Sequence, residues 1–155
     1  MAKLTNIVIH CSDSEFGSAA EIRRWHLANG WKDIGYHFVI LNGMLVPKTK
    51  NQLPLYVDAM NGSIEVGRKI DGDRFISDSE AGAHALGYNA NSICICLIGT
   101  SFFTEQQFDS LRELLRELMH TYGISKNRIL GHYQTTQAHG KTCPNFDVPE
   151  FLKTL

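Results

Sequence analysis

The chain has 155 residues, with 15 Lys plus Arg against 16 Asp plus Glu, for a formal charge of −1 with histidine neutral. That balance excludes the broad basic field of a sequence-independent nucleic-acid binder. A 43% apolar share with 13 Gly and 4 Pro belongs to a folded domain with a sizeable core. No apolar run approaches the ~20 residues of a membrane-spanning helix, so no membrane insertion is expected. The start, Met-Ala-Lys-Leu-Thr-Asn, lacks a signal peptide's long apolar stretch and cleavage site, which predicts synthesis in the cytoplasm. The 4 cysteines are too few and scattered for a disulfide scaffold. Cys94 and Cys96 share one face of a strand, as free thiols or as a bridge, whereas Cys143 sits in a polar loop.

Residues 5–11 (TNIVIHC) read as a strand ending before Ser-Asp-Ser. Ser18 and Glu21 predict a helix start, and Gly30 its stop. Residues 36–41 (YHFVIL) predict a second strand, with Asn42-Gly43 as a turn. Between 44 and 60, Pro47 and Pro54 restrict any strand to short pieces at 45–46 and 55–57, at an edge or in a loop. Asn61-Gly62 predicts another turn before a strand over 63–68, and the charged stretch 69–80 an exposed loop. The nearly continuous apolar run 92–98 (SICICLI) suits a central strand buried on both faces. Thr104 and Gln107 open an amphipathic helix with Phe108, Leu111, Leu115, Leu118 and Tyr122 on one stripe, stopped at Gly123. A short strand at 128–131 and a last helix opened by Asp147 and Pro149 complete the chain. The irregular alternation predicts one α/β domain over 1–155, a central mixed β-sheet flanked by α-helices.

His10 ends the first strand, His132 follows the last, and Cys143 lies in the loop beyond. Two neutral imidazoles and a thiolate suit zinc, and three protein ligands leave a fourth position for water. Strand ends and an adjoining loop give such ligands rigid support. With 7 histidines in the chain, spacing alone leaves open a core role for His10 and a buried thiol for Cys143.

Further blocks accompany these residues: Ile7-Val8-Ile9-His10-Cys11-Ser12, Ile22-Arg23-Arg24-Trp25-His26 and Gly30-Trp31-Lys32-Asp33-Ile34-Gly35-Tyr36-His37-Phe38. Val66-Gly67-Arg68, Gly82-Ala83-His84-Ala85-Leu86-Gly87-Tyr88-Asn89 and Asn91-Ser92-Ile93 follow, then Gly131-His132 and Lys141-Thr142-Cys143-Pro144-Asn145-Phe146-Asp147. In this order and over almost the whole chain, they resemble the zinc-dependent N-acetylmuramoyl-L-alanine amidases, a family of phage lysozyme-type amidases and peptidoglycan recognition proteins. The resemblance implies zinc on His10, His132 and Cys143, and catalytic roles for Tyr36 and Lys141. The implied reaction is hydrolysis of the amide joining the lactyl group of N-acetylmuramic acid to L-alanine. Lys141 would stabilise the oxyanion, and Tyr36 would position water or move a proton.

His84 and Asn89, in a Gly-rich loop, are candidates for the substrate groove. His37 is a candidate for the same groove or for a supporting role, because on a strand it points away from Tyr36. His26 packs against or lines the site, and His139 is a bystander or substrate contact. Relative to small phage amidases, residues of about 41–60 read as an insertion that lengthens an edge hairpin. The partner implied is peptidoglycan, with no nucleic acid, and a monomer is expected. The resemblance also implies an endolysin that reaches the wall after another factor breaches the inner membrane. Two alternatives stand: a non-catalytic peptidoglycan recognition module, and a structural zinc site. Recognition-only relatives typically lack the cysteine ligand, and a structural site normally fills all four positions with protein ligands.

Overall fold

The β-branched runs of the sequence build the interior of a five-stranded sheet in a computed structural model that describes residues 1–155. In chain order the strands are β1 (Ala2–Lys3), β2 (Asn6–Cys11), β3 (Phe38–Val46), β4 (Leu55–Val66), β5 (Phe75–Ile76), β6 (Ser92–Leu97) and β7 (Ile129–Gly131). The helices are α1 (Ala19–Ala28), α2 (Glu105–Tyr122) and α3 (Val148–Leu152). The sheet order is β4-β3-β6-β2-β7, with β3, β6, β2 and β7 mutually parallel and β4 antiparallel to β3. This is the expected single-domain mixed α/β sheet. β6 lies at its centre with every residue buried, as its unbroken apolar run requires. β1 and β5 form a small antiparallel ribbon apart from it.

Strand alternation sorts the core into two layers. Ile7, Ile9, Ile93, Ile95 and Leu97 face the apolar stripe of α2 and the short α3. Val39, Leu41, Cys96 and Ile98 face α1 through Ala19 and Ile22. α1 covers only part of its face, and His10 points into the remainder beside Cys96, its neighbour across the ladder. All four cysteines are free thiols, which closes the bridge alternative for Cys94 and Cys96.

Capping chemistry also ties elements together. Thr104 and Gln107 form the expected reciprocal capping box on α2. The buried Gln107 side chain further donates to the carbonyls of Ile40 and Ile98, fixing the helix start against the ends of β3 and β6.

The segment 41–60 forms the lengthened edge hairpin expected of an insertion, in strands longer than the short pieces read at 45–46 and 55–57. β3 and β4 run through it as one long hairpin, with Asn42 opposite Asn61, Met44 opposite Tyr56 and shifts of register between. Asn42-Gly43 and Asn61-Gly62, predicted as turns, lie within these irregular strands. Gly43 (φ 89°) and Gly62 (φ 86°) supply left-handed backbone, which a bulge uses as readily as a hairpin turn. Pro47 and Pro54 fall in the tip between the strands, outside the ladder. Thr104 Oγ1 bonds Asn61 Oδ1 at 2.6 Å and Ser110 donates to the Gly62 carbonyl, so the hairpin is clamped to α2.

Candidate active site

β2 delivers His10 from the middle of the sheet, 1% exposed. β7 ends at Gly131 and hands the chain to a 3₁₀ turn that begins with His132. The following loop returns Cys143 to β2, where the Cys11 N–H donates to Cys143 Sγ at 3.2 Å and the Tyr133 N–H to the Cys143 carbonyl at 2.9 Å. The His10, His132 and Cys143 donor atoms lie within 4.8 Å of one another, a group that could hold a metal ion. His10 Nδ1 is 3.9 Å from Cys143 Sγ, and the His10 and His132 rings are 4.5 Å apart.

The electrostatics prepare these donors for a cation. Burial, then the neighbouring His84 and His132, pushes His10 well below the usual imidazole range. Burial and the Lys141 ammonium lower His132 as well. Both imidazoles therefore stand neutral at pH 7, the ligand form. The hydrogen bond with the Cys11 thiol, then burial, raises the Cys143 thiol, and a coordinated divalent cation deprotonates such a thiol outright. Two neutral imidazoles and one thiolate fit zinc with a coordination position to spare.

Lys141 lines the same cleft as His132 and Cys143, with Asp13 and Asn145. Tyr36 packs against His10, ring centroids 5.2 Å apart. Burial, followed by the nearby cysteine thiols, holds its phenol well above the usual range, so it is protonated at neutral pH. The segment before it is pinned from two sides. His26 Nδ1 accepts from the Gly35 N–H at 2.9 Å while its ring packs 4.3 Å from Trp31. On the other side the Ala83 N–H donates to the Gly35 carbonyl at 3.1 Å. Gly35 is required here because a Cβ would collide with the Ala83 carbonyl oxygen.

The 82–89 loop supports His10 from behind. His10 Nε2 and His84 Nδ1 are 2.9 Å apart, and Asn89 Oδ1 accepts from the His84 and Ala85 N–H groups at 2.9 and 3.0 Å. With Nδ1 of His10 turned to Cys143, its Nε2–H is the donor to His84, an outer partner that fixes the ligand's tautomer. His84 Nε2 is itself buried without a partner. The groove role considered for His37 is corrected: the residue is fully enclosed. Its Nε2 lies 2.7 Å from the Glu80 carbonyl and its Nδ1 accepts from the Cys94 N–H at 3.0 Å, so neither nitrogen is free for a substrate. His139 is exposed and outside the donor group.

Several contributors escaped the sequence reading. Asp13 and Asn145, both in left-handed backbone, shape the cleft. Asx residues in a Ser-Asp-Ser and a Pro-Asn-Phe context are the local signal for such conformations. Cys11, on the opposite face of β2 from His10, reaches Cys143 through its backbone N–H, which no side-chain pattern signals. Arg23 of α1 bonds Asp33 Oδ1 at 2.8 Å and the Gly67 carbonyl at 3.0 Å, tying α1 to the segment before Tyr36 and to the end of β4.

Burial lowers the His37 pKa from 6.5 to about 4. Above pH 6.5 the folded and unfolded chains both hold it neutral. Below that, the unfolded chain takes a proton that the folded chain refuses, so stability falls with pH. Over the span down to pH 4 the loss is about 3 kcal/mol, at about 1.4 kcal/mol per pH unit. His37→Gln removes that component, so urea unfolding at pH 7 and pH 4 should show a markedly smaller drop in the variant. An equal drop would remove His37 from the acid sensitivity.

The family model described as N-acetylmuramoyl-L-alanine amidase matches residues 1–146. The chain belongs to this amidase family. Relatives include the endolysin of Enterobacteria phage K11, 32% identical over 94% of this chain and 83% of that protein. The endolysin of Escherichia phage T7 is 33% identical over 92% of this chain and 81% of that protein. Among solved structures, the N-acetylmuramoyl-L-alanine amidase LysC of Clostridium intestinale superposes with a TM-score of 0.73 at 27% identity, covering 99% of this chain and 85% of that one. PGRP-SA of Apis mellifera, at 20% identity and a TM-score of 0.69 over 99% of this chain and 83% of that one, shares the fold. The cleft that holds His10, His132 and Cys143 is the candidate active site of this family member.

Proposed function

We propose that this amidase uses zinc on His10, His132 and Cys143 to hydrolyse the amide between N-acetylmuramic acid and L-alanine of peptidoglycan, acting as a phage or prophage endolysin. The observation that carries the proposal is the donor group itself: two neutral imidazoles and a thiol within 4.8 Å, in a chain of this family. The endolysin relatives, matched over most of their length, support the biological role.

Bound there, zinc supplies Lewis acidity that activates water and polarises the amide carbonyl. The residues of the chain supply the rest. Tyr36 enters as a protonated phenol and donates, orienting a reacting oxygen or passing its proton toward the leaving amine. Lys141 lines the same cleft and would stabilise the negative charge that builds on the carbonyl oxygen. His84 holds the His10 ring in its metal-facing tautomer, and Asn89 holds the backbone of His84. The recognition-only alternative is disfavoured by the thiol donor Cys143 in the group.

The donor group is complete within one copy of the chain, which supports a monomer as the working unit. No helix is long and apolar enough to cross a membrane. Incubating the protein with intact peptidoglycan should release stem peptides with free L-alanine amino termini, read by mass spectrometry. Release of reducing sugars, or of peptides cut within the stem, would overturn the assignment.

A further inference from the structure

A second cleft, of about 530 Å³, lies under the long β3–β4 hairpin, bounded by Met44 and Tyr56 above and by Phe16 and the 99–104 loop below. Its volume falls within the roughly 300–1,000 Å³ of small-molecule sites. It adjoins the catalytic cleft. Thr100, which lines it, accepts a hydrogen bond from Asn145 of the catalytic cleft, and Asp13 of that cleft donates to Gly99 at 3.1 Å. Phe102 stands on its wall 79% exposed, and Tyr56, whose ring lies over Gly43 and whose hydroxyl donates to Asp58, still shows 50% of its surface.

The geometry points to a subsite for the glycan strand of peptidoglycan, a reading that rests on the amidase assignment above. The scissile amide hangs from a sugar, so saccharide rings must extend from the metal group along the surface. Sugar rings offer apolar faces that stack on aromatic side chains and hydroxyl and acetamide edges that need hydrogen bonds. The cleft supplies Tyr56 and Phe102 for the first, and for the second the Thr100 hydroxyl and the second N–H of the Asn42 amide, whose first donates to the Glu15 carbonyl. Its two charged residues, Glu15 and Lys48, are opposite in sign, which leaves no net charge and suits an uncharged sugar better than the carboxylates of a stem peptide.

The test compares the wild type with the Phe102→Ala, Tyr56→Ala double variant, both side chains lying outside the catalytic group. On long glycan strands bearing stem peptides, the variant should lose about tenfold in kcat/KM. On a single N-acetylmuramoyl-tripeptide it should match the wild type, with an unchanged melting temperature. Equal loss on both substrates, or on neither, overturns the subsite. A β-1,4 tetramer of N-acetylglucosamine, titrated into the wild type at millimolar concentration, gives a readout independent of cleavage. Amide NMR shifts gathered at Tyr56, Thr100 and Phe102 support the subsite; absent shifts, or shifts elsewhere, overturn it. If the wild type cleaves neither substrate, the amidase assignment fails, and the titration alone decides the cleft.

Discussion

Cys143→Ser is expected to lose more than about a hundredfold in peptide release from peptidoglycan, since disturbing even an outer partner of a metal ligand typically costs 10–100-fold. The fold should survive. Cys143 is only half-buried, and a serine hydroxyl can accept the Cys11 N–H as the sulfur does. The loss should therefore follow the metal. Zinc raises the melting temperature of a protein that binds it only when folded. It should do so for the wild type and far less for the variant. A Cys143→Ser protein that kept both its zinc response and its activity would remove Cys143 from the donor set.

Lys141→Ala should behave in the opposite way, keeping the metal while losing rate. Removing a preorganised group that stabilises an oxyanion costs about 10²–10³ in kcat. The zinc-dependent gain in melting temperature should remain, because Lys141 donates nothing to the group formed by His10, His132 and Cys143. A second signature follows from charge. The Lys141 ammonium helps keep the His132 pKa low, so its removal eases protonation of His132. The acidic limb of the variant's residual pH–rate profile should then move to higher pH. A rate within a few-fold of the wild type would leave Lys141 a solvated surface charge.

The metal group was legible in the sequence because its parts sit where sequence patterns are strongest. His10 ends an unbroken β-branched strand, and His132 directly follows a second strand of the same sheet. Cys143 occupies a polar segment unsuited to a core. The central position of β6 was equally legible from its continuous apolar run, and α2 from its capping box and stripe.

Other features needed the third dimension. Asn-Gly signals left-handed backbone without saying whether a turn or a bulge uses it, so the lengthened edge hairpin was legible but its strands read too short. The stretch 69–80 read as an exposed loop from its charge, yet Glu80 is buried. Its carboxylate accepts from the N–H groups of Asp71 and Ser77 and from the Ser77 hydroxyl, which offset desolvation, while its carbonyl seals His37 inside. Alternation placed His37 opposite Tyr36 correctly but could not show that a loop closes over it.

The most direct test of zinc chemistry in this cleft is a titration. Zinc is added stepwise to chelator-stripped protein while the release of L-alanine-terminated peptides is followed. The account predicts no release at the start, a rise to full activity at one equivalent of zinc, and no rescue of Cys143→Ser at the same concentration. Full activity in the stripped wild-type protein would contradict it.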